Sequence, residues 1–279
     1  MSCPFKHILL AIEGTEFDIG AERVGIGLAA SCGVPLLAVL PVVSNPEFES
    51  IAPLLEERAE AEAAARLEQL REAAQSSGVE LRGNIRLGEE PYREIVDEAR
   101  DRQADLIVLR RRGKRGYLAN LLVGEMVHTV TGHAPCDVLV VPRAAQLWSH
   151  AIVLATDGSA HSDRATVVAA AIAVRYGLPL SIVSVVEEEN GDESAAQAHV
   201  DRALAVVRKA GGQAIGRVLV GKPYEAILGI AEETGADLTV IGRRGLNRVK
   251  RILMGSTSER VAGKANGPVL IVQAAASAG

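Results

Sequence analysis

Aromatic residues are scarce: 3% of the 279-residue chain, with one Trp, three Phe and four Tyr. Proteins that hold single-stranded nucleic acid do so on exposed aromatic platforms, so that class of function is disfavoured. The mild net charge of −5 argues against a general DNA or RNA binder as well. Cysteine is nearly absent too. Cys3, Cys32 and Cys136 are scattered with no CxxC pair, which leads to the expectation of a reducing cytoplasm and no disulfide framework. No apolar run reaches the roughly 18 residues that a membrane span needs. The stretch from Met1 to Thr15 carries only the short apolar run Ile8 to Ile12 and lacks the layout of a signal peptide. What remains is 48% hydrophobic residues, mostly Ala, Val, Leu and Ile, with 23% charged. At about 150 residues per domain this is enough for two domains, each with its own core.

The chain is an internal repeat. His7 to Thr15 (HILLAIEGT) matches Ala151 to Ser159 (AIVLATDGS) at an offset of 144, which pairs Glu13 with Asp157. Gly33 to Val43 matches Gly177 to Val186 at the same offset. Pro91 to Ile95 then matches Pro223 to Ile227, and Ala104 to Gly113 matches Ala236 to Gly245, both at 132. Val138 to Val141 matches Val269 to Val272 at 131. The matches are collinear, so the expected domains are residues 1–144 and 145–279, with a 12-residue contraction around the second helix. The halves carry net charges of −6 and +1. The positive charge of the second half clusters in Arg243, Arg244, Arg248, Lys250 and Arg251, a candidate anion site.

Short β-branched runs alternate with amphipathic segments in each half. In the second half the expected strands are Ala151–Thr156, Leu180–Val186, Gln213–Val220, Leu238–Ile241 and Val269–Val272. The expected helices are His161–Tyr176, Ala195–Ala210, Pro223–Glu233 and Ser256–Lys264, with Ser159, Ser162 and Ser256 available as N-caps. The first half repeats this order with a longer second helix, Leu54 to Gln75. Five strands and four helices per half imply a parallel sheet covered on both faces. Ligands of such folds sit beyond the C-terminal ends of the strands.

The strongest local signal is Gly242-Arg243-Arg244-Gly245, nine residues, then Gly255-Ser256, between the fourth strand and the fourth helix. Gly242 and Gly245 let the backbone approach a ligand. Gly255 and Ser256 would leave amide N–H groups free at a helix N-terminus, where phosphate binds. The hydroxyls of Ser256 and Thr257 can donate to phosphate oxygens. Asp157 and Gly158 end the first strand beside the same crevice, where the carboxylate can accept from ribose hydroxyls.

With these residues the chain resembles the universal stress protein family in its tandem two-domain form. Nucleotide-binding members of that family carry G-x2-G-x9-G-[ST], which Gly242, Gly245, Gly255 and Ser256 match without a gap. The resemblance implies an adenine-nucleotide alpha-hydrolase-like α/β fold: two doubly wound domains, each a five-stranded parallel sheet of order 3-2-1-4-5. It implies pairing of the two halves through their fifth strands. It also places Asp157 and the backbone of Val185 against the adenosine, with the glycine loop and Ser256 on the phosphates. The first half departs from the pattern. Arg110 stands in place of the first glycine, Gly113 and Gly124 are separated by ten residues, and Glu125 and Glu13 replace the serine and the aspartate. Loss of the hydroxyl donor removes about 1–3 kcal/mol toward a charged partner, so the first site reads as degenerate. Glu125 is expected to pair with Arg110 or Arg112. The basic run Arg110, Arg111, Arg112, Lys114 and Arg115 otherwise reads as a solvated loop.

Weaker motifs fall away. Gly25-x-Gly27 lies inside the first helix rather than after a strand, so it reads as helix packing and not as a dinucleotide fingerprint. His128 and His133 are five apart and cannot share a helical face, which argues against zinc with Cys136. His161 and Asp163 open a helix and read as capping and solvation.

The resulting expectation is a regulatory, non-enzymatic stress-response protein. Its second half would bind ATP, or ADP or AMP, with Mg2+ as an optional companion. An unidentified protein partner and dimerisation between chains are left open. The alternatives are a slow ATPase or nucleotidyl-transfer enzyme and a nucleotide-free scaffold. No general base and no G-x4-G-K-[ST] run is recognisable.

Overall fold

The computed structural model describes residues 3–44, 53–111, 124–187, 191–245 and 254–274. The first repeat runs β1 (Ile8–Ala11), α1 (Ile19–Cys32), β2 (Leu36–Val43), α2 (Pro53–Ser76), β3 (Leu81–Gly88), α3 (Pro91–Asp101), β4 (Leu106–Arg110), α4 (Glu125–His133) and β5 (Asp137–Val141). The second runs β6 (Ile152–Ala155), α5 (Ala160–Tyr176), β7 (Leu180–Val186), α6 (Glu193–Lys209), β8 (Ala214–Val220), α7 (Pro223–Glu233), β9 (Leu238–Gly242), α8 (Ser256–Lys264) and β10 (Val269–Val272). By contact, the described residues within 5–110 and 133–147 form one compact unit; the described residues from Trp148 onward, with those of 111–132 and those through Pro4, form the other.

Each repeat builds a parallel five-stranded sheet in the order third, second, first, fourth, fifth: β3-β2-β1-β4-β5 and β8-β7-β6-β9-β10. This is the expected doubly wound fold. The central strands are continuous apolar runs because helices cover both faces: β1, β4, β5, β6, β9 and β10 are buried along their whole length. Edge strand β8 instead alternates between exposed and partly covered positions, so Ile215 and Val220 stand in water. Truncating a fully buried side chain such as Leu154 would cost about 2–5 kcal/mol.

Helix termini follow local chemistry. Ser159 caps α5 by accepting the Ser162 N–H at 3.3 Å. Gly177 ends that helix at φ +65°, and its N–H returns to the Ala173 carbonyl. Gly25 lies in α1 against the Leu10 side chain, 3.5 Å from where a Cβ would stand, consistent with a packing glycine. One expectation is corrected: Cys3 and Cys32 are disulfide-bonded, while Cys136 is buried and takes no part in a disulfide. The scattered spacing hid this, and the cysteine argument for a reducing compartment falls with it. Among the described residues no helix is long and apolar enough to cross a membrane.

Candidate functional site

Three segments converge beyond the C-terminal ends of β6 and β9. The first is the turn Thr156-Asp157-Gly158-Ser159, which leaves β6. Thr156 N–H continues the ladder onto the Val183 carbonyl of β7 at 2.9 Å. Asp157 then accepts the Ser159 N–H at 3.1 Å, and Gly158 turns the chain at φ +73°, a conformation that a side chain would strain. The second segment is Gly242 to Gly245, which leaves β9. Ser159 Oγ donates to the Arg244 carbonyl at 3.1 Å and ties the two turns together. The third is the start of α8, where Gly255 N–H donates to the Arg243 carbonyl at 2.9 Å and Ser258 Oγ donates to the Gly242 carbonyl at 2.7 Å.

Close approach of neighbouring atoms demands glycine at 242 and favours it at 245 and 255. A Cβ on Gly242 would lie 2.9 Å from His161 Cβ and 2.9 Å from the Ser162 nitrogen. On Gly245 it would meet the Asp157 carboxylate, and on Gly255 it would lie 3.1 Å from the Arg243 carbonyl. A side chain at any of the three would displace a neighbour or fill the cradle.

Two expectations change here. Gly255, not Ser256, is the N-cap of α8, and no side chain caps that end. Gly255 N–H is therefore engaged with Arg243. The amides that helix geometry leaves pointing outward are those of Ser256, Thr257 and Ser258. Ser256 is exposed and Thr257 is half-buried, and both stand in the first turn of α8, at the positive end of the helix dipole.

Arg243 is placed away from this end. Its Nη1 donates to the Gly132 carbonyl at 2.9 Å and approaches that of Thr131 at 3.5 Å, at the C-terminus of α4. Burial, then the neighbouring Arg244, pull its pKa down. Arg244 is half-buried beside the turn. Val185 is half-buried on β7, two residues past Val183, in register with Leu219 of β8. His161 is held below its ordinary pKa, first by burial and then by Arg243, against a weaker opposing pull from the Val272 carbonyl and Asp157. Arg248, Lys250 and Arg251 lie outside the described residues.

In the first repeat the equivalent place is filled by the protein. Arg110 is buried and ion-pairs with Glu13 through Nη2. Its Nε lies 3.1 Å from Asp18 Oδ1, a contact without hydrogen-bond alignment. Asp18 has no solvent exposure, and its other oxygen accepts the Glu13 N–H at 3.1 Å and the Thr15 N–H at 2.8 Å. Burial pushes the Asp18 carboxyl up, against the Thr15 amide and Arg110. Phe17 lies over the guanidinium at 5.7 Å. Glu125, expected to pair with Arg110, is exposed at the start of α4; Arg112, Gly113, Lys114 and Arg115 lie outside the described residues. Asp18 belongs to no sequence motif, although the 144 offset aligns it with Ser162. The first repeat thus carries Glu13, Asp18 and Arg110 where the second has Asp157, Ser162 and Gly242.

The remaining candidates are scattered. His128 faces Glu259 at 3.7 Å, and His133 stacks on Tyr92 at 5.4 Å. Among the described residues no three His, Cys, Asp or Glu side chains converge as metal ligands.

A model of the Universal stress protein family matches residues 4–142 and again 149–273. A universal stress protein of Synechocystis sp. is 31% identical over 166 residues, 60% of this chain and 57% of that protein. One from Thermus aquaticus is 38% identical over 135 residues, 44% of this chain and 97% of that protein. The solved structure of a universal stress protein from Archaeoglobus fulgidus shares the fold, with a TM-score of 0.80 at 20% identity, covering 96% of this chain and 98% of that one.

Proposed function

Since the chain belongs to the universal stress protein family and matches its domain twice, we propose that it binds one adenine nucleotide, ATP in the first instance, in its second repeat and works as a regulatory protein whose occupancy biases conformation or partner choice. The observation that carries this reading is the convergence of Asp157, Gly242, Gly245 and the uncapped N-terminus of α8 beyond the C-terminal ends of β6 and β9. The same place in the first repeat is occupied by Arg110, Glu13 and Asp18. The donor set suits a nucleotide: a carboxylate acceptor for ribose hydroxyls, backbone N–H and Ser256 and Thr257 hydroxyls for phosphate, and glycines where the ligand must approach closely. These groups favour holding a phosphate in its ground state over transferring it, so turnover is absent or slow. Mg2+ would arrive on the phosphates of ATP.

The same reading takes residues 1–144 and 145–279 as the duplicated domains and the cytoplasm as the compartment. It pairs Val138–Val141 with Val269–Val272, and it leaves room for association between chains and for a protein partner. The family resemblance is the support for these.

The test is calorimetric titration of ATP into the full chain. One nucleotide per chain is expected. Two equivalent sites, or no binding at millimolar ATP, would overturn the reading.

A further inference from the structure

Helix α6 brings a second cationic feature to the crevice. Asp192 caps its start by accepting the Ala195 N–H at 2.8 Å. The helix then packs on β7 and β8, on the far side of β6 from the glycine segment. His199 and Arg202 are three residues apart and so share a face. That face lies on the turn after Asp157. A Cβ on Gly158 would stand 2.5 Å from both Cδ2 and Nε2 of His199 and 2.7 Å from Arg202 Nη2. The imidazole and the guanidinium are thus seated on the residue next to the proposed ribose acceptor, and the absence of a side chain at 158 makes room for them. Neither has a hydrogen-bond or ion-pair partner among the described residues.

The first repeat shows what closing such a feature looks like. Leu67 packs over Gly83 as Val200 packs over Gly216, which aligns Arg66 with His199 and Gln69 with Arg202. Arg66 is tied to Glu22 by an ion pair, and its Nη1 reaches Gln69 Oε1 at 3.3 Å. At the 144 offset the counterpart of Glu22 is Thr166, whose hydroxyl is committed to the Ser162 carbonyl at 2.9 Å. The second repeat thus has a hydroxyl where the first has the carboxylate that pairs with Arg66.

We propose that His199 and Arg202 form an anion-recognising wall that selects an adenosine nucleotide carrying a phosphate on its ribose, at O2′ or O3′, in addition to the 5′-phosphate. This rests on the nucleotide reading above. The α8 amides take the 5′-phosphate, while Asp157 sits between the two ends. A guanidinium fork matches two oxygens of a second phosphate, and the imidazole nitrogen adds a donor beside it.

The experiment is calorimetry on the full chain with three probes: AMP, adenosine 2′,5′-bisphosphate and adenosine 3′,5′-bisphosphate. One of the bisphosphates is expected to bind about tenfold or more tighter than AMP, as a charge-assisted contact allows. Arg202→Gln should bring that bisphosphate to the affinity of AMP, and Arg202→Lys should retain part of the preference. Arg202 is exposed, so these variants are expected to fold, and their melting curves check this. Equal affinity of the wild type for all three probes, or a preference that survives Arg202→Gln, overturns the proposal and leaves the nucleotide reading intact. If neither ATP nor any probe binds, both fall.

Discussion

Replacing Arg110 by Met should destabilise the first repeat, and the structure sets how much. The side chains of Arg110 and Asp18 are 9% and 0% exposed. Removing one partner of a buried pair and stranding the other typically costs 3–5 kcal/mol. Here the low end applies, about 3 kcal/mol, because Asp18 keeps the Glu13 and Thr15 amides and the Glu13 carboxylate is 26% exposed and reaches water. In hydrogen exchange of β1 and β4 this is a loss of protection of roughly a hundredfold. The cost must also depend on pH. Asp18 is already raised from 3.8 by burial, and Arg110 is one of the groups holding it down, so the variant raises it further. A carboxyl with a raised folded pKa contributes stability that is full below its unfolded value and is lost as pH rises through the folded one. The deficit of Arg110→Met should therefore be larger at pH 7 than in acid and shrink on acidification. Adding Asp18→Asn should restore most of the loss, since the amide oxygen can still accept from the two backbone N–H groups and no charge is stranded. A deficit under about 1 kcal/mol at pH 7, smaller than breaking a buried pair allows, or one that is unchanged or larger in acid, would refute this account.

Further outcomes follow from the same geometry. Ser256→Glu removes a donor and adds negative charge at the α8 N-terminus; with about 1 kcal/mol of repulsion in water and about 4 near a protein surface at 4 Å, ATP affinity should fall by at least tenfold in calorimetry, whereas Glu125→Ser should leave the stoichiometry at one. Gly242→Arg, copying the first repeat, meets His161 and the Ser162 backbone at 2.9 Å, so it should abolish ATP binding and lower the melting temperature; normal binding would contradict the close packing described. His161, depressed below 6.5 by burial and Arg243, contributes stability that is present above that value and lost as pH falls through the folded pKa, by at most about 1.4 kcal/mol per pH unit; His161→Gln should flatten that limb of the urea-midpoint profile, and an unchanged slope would exclude His161 as its source. Alkylation of the denatured chain should label one cysteine without reductant and three with it; three in both cases would contradict the disulfide.

The duplication, the alternation of strands and helices and the glycine spacing were legible because each is local. A buried strand needs a continuous apolar run, and a phosphate cradle needs glycines at a fixed spacing before a helix. The predicted limits of β7, α7, α8 and β10 match those observed for that reason. The strand order 3-2-1-4-5 came from family resemblance and not from any local pattern. Only the tertiary structure decided who pairs with whom. Arg110 takes Glu13 and Asp18 from two other segments instead of Glu125. Arg243 turns from the glycine segment to the carbonyls of α4. Cys32 is disulfide-bonded despite its isolated spacing. His199 and Arg202 reach Gly158 from a helix forty residues further along the chain, roughly 1.5 Å of rise per residue having carried them back over the sheet. Charge pairs and wall residues depend on which ends of which elements the sheet brings together. Side-chain type constrains that only weakly, because a charged group on an exposed face and one turned into a crevice look alike in sequence.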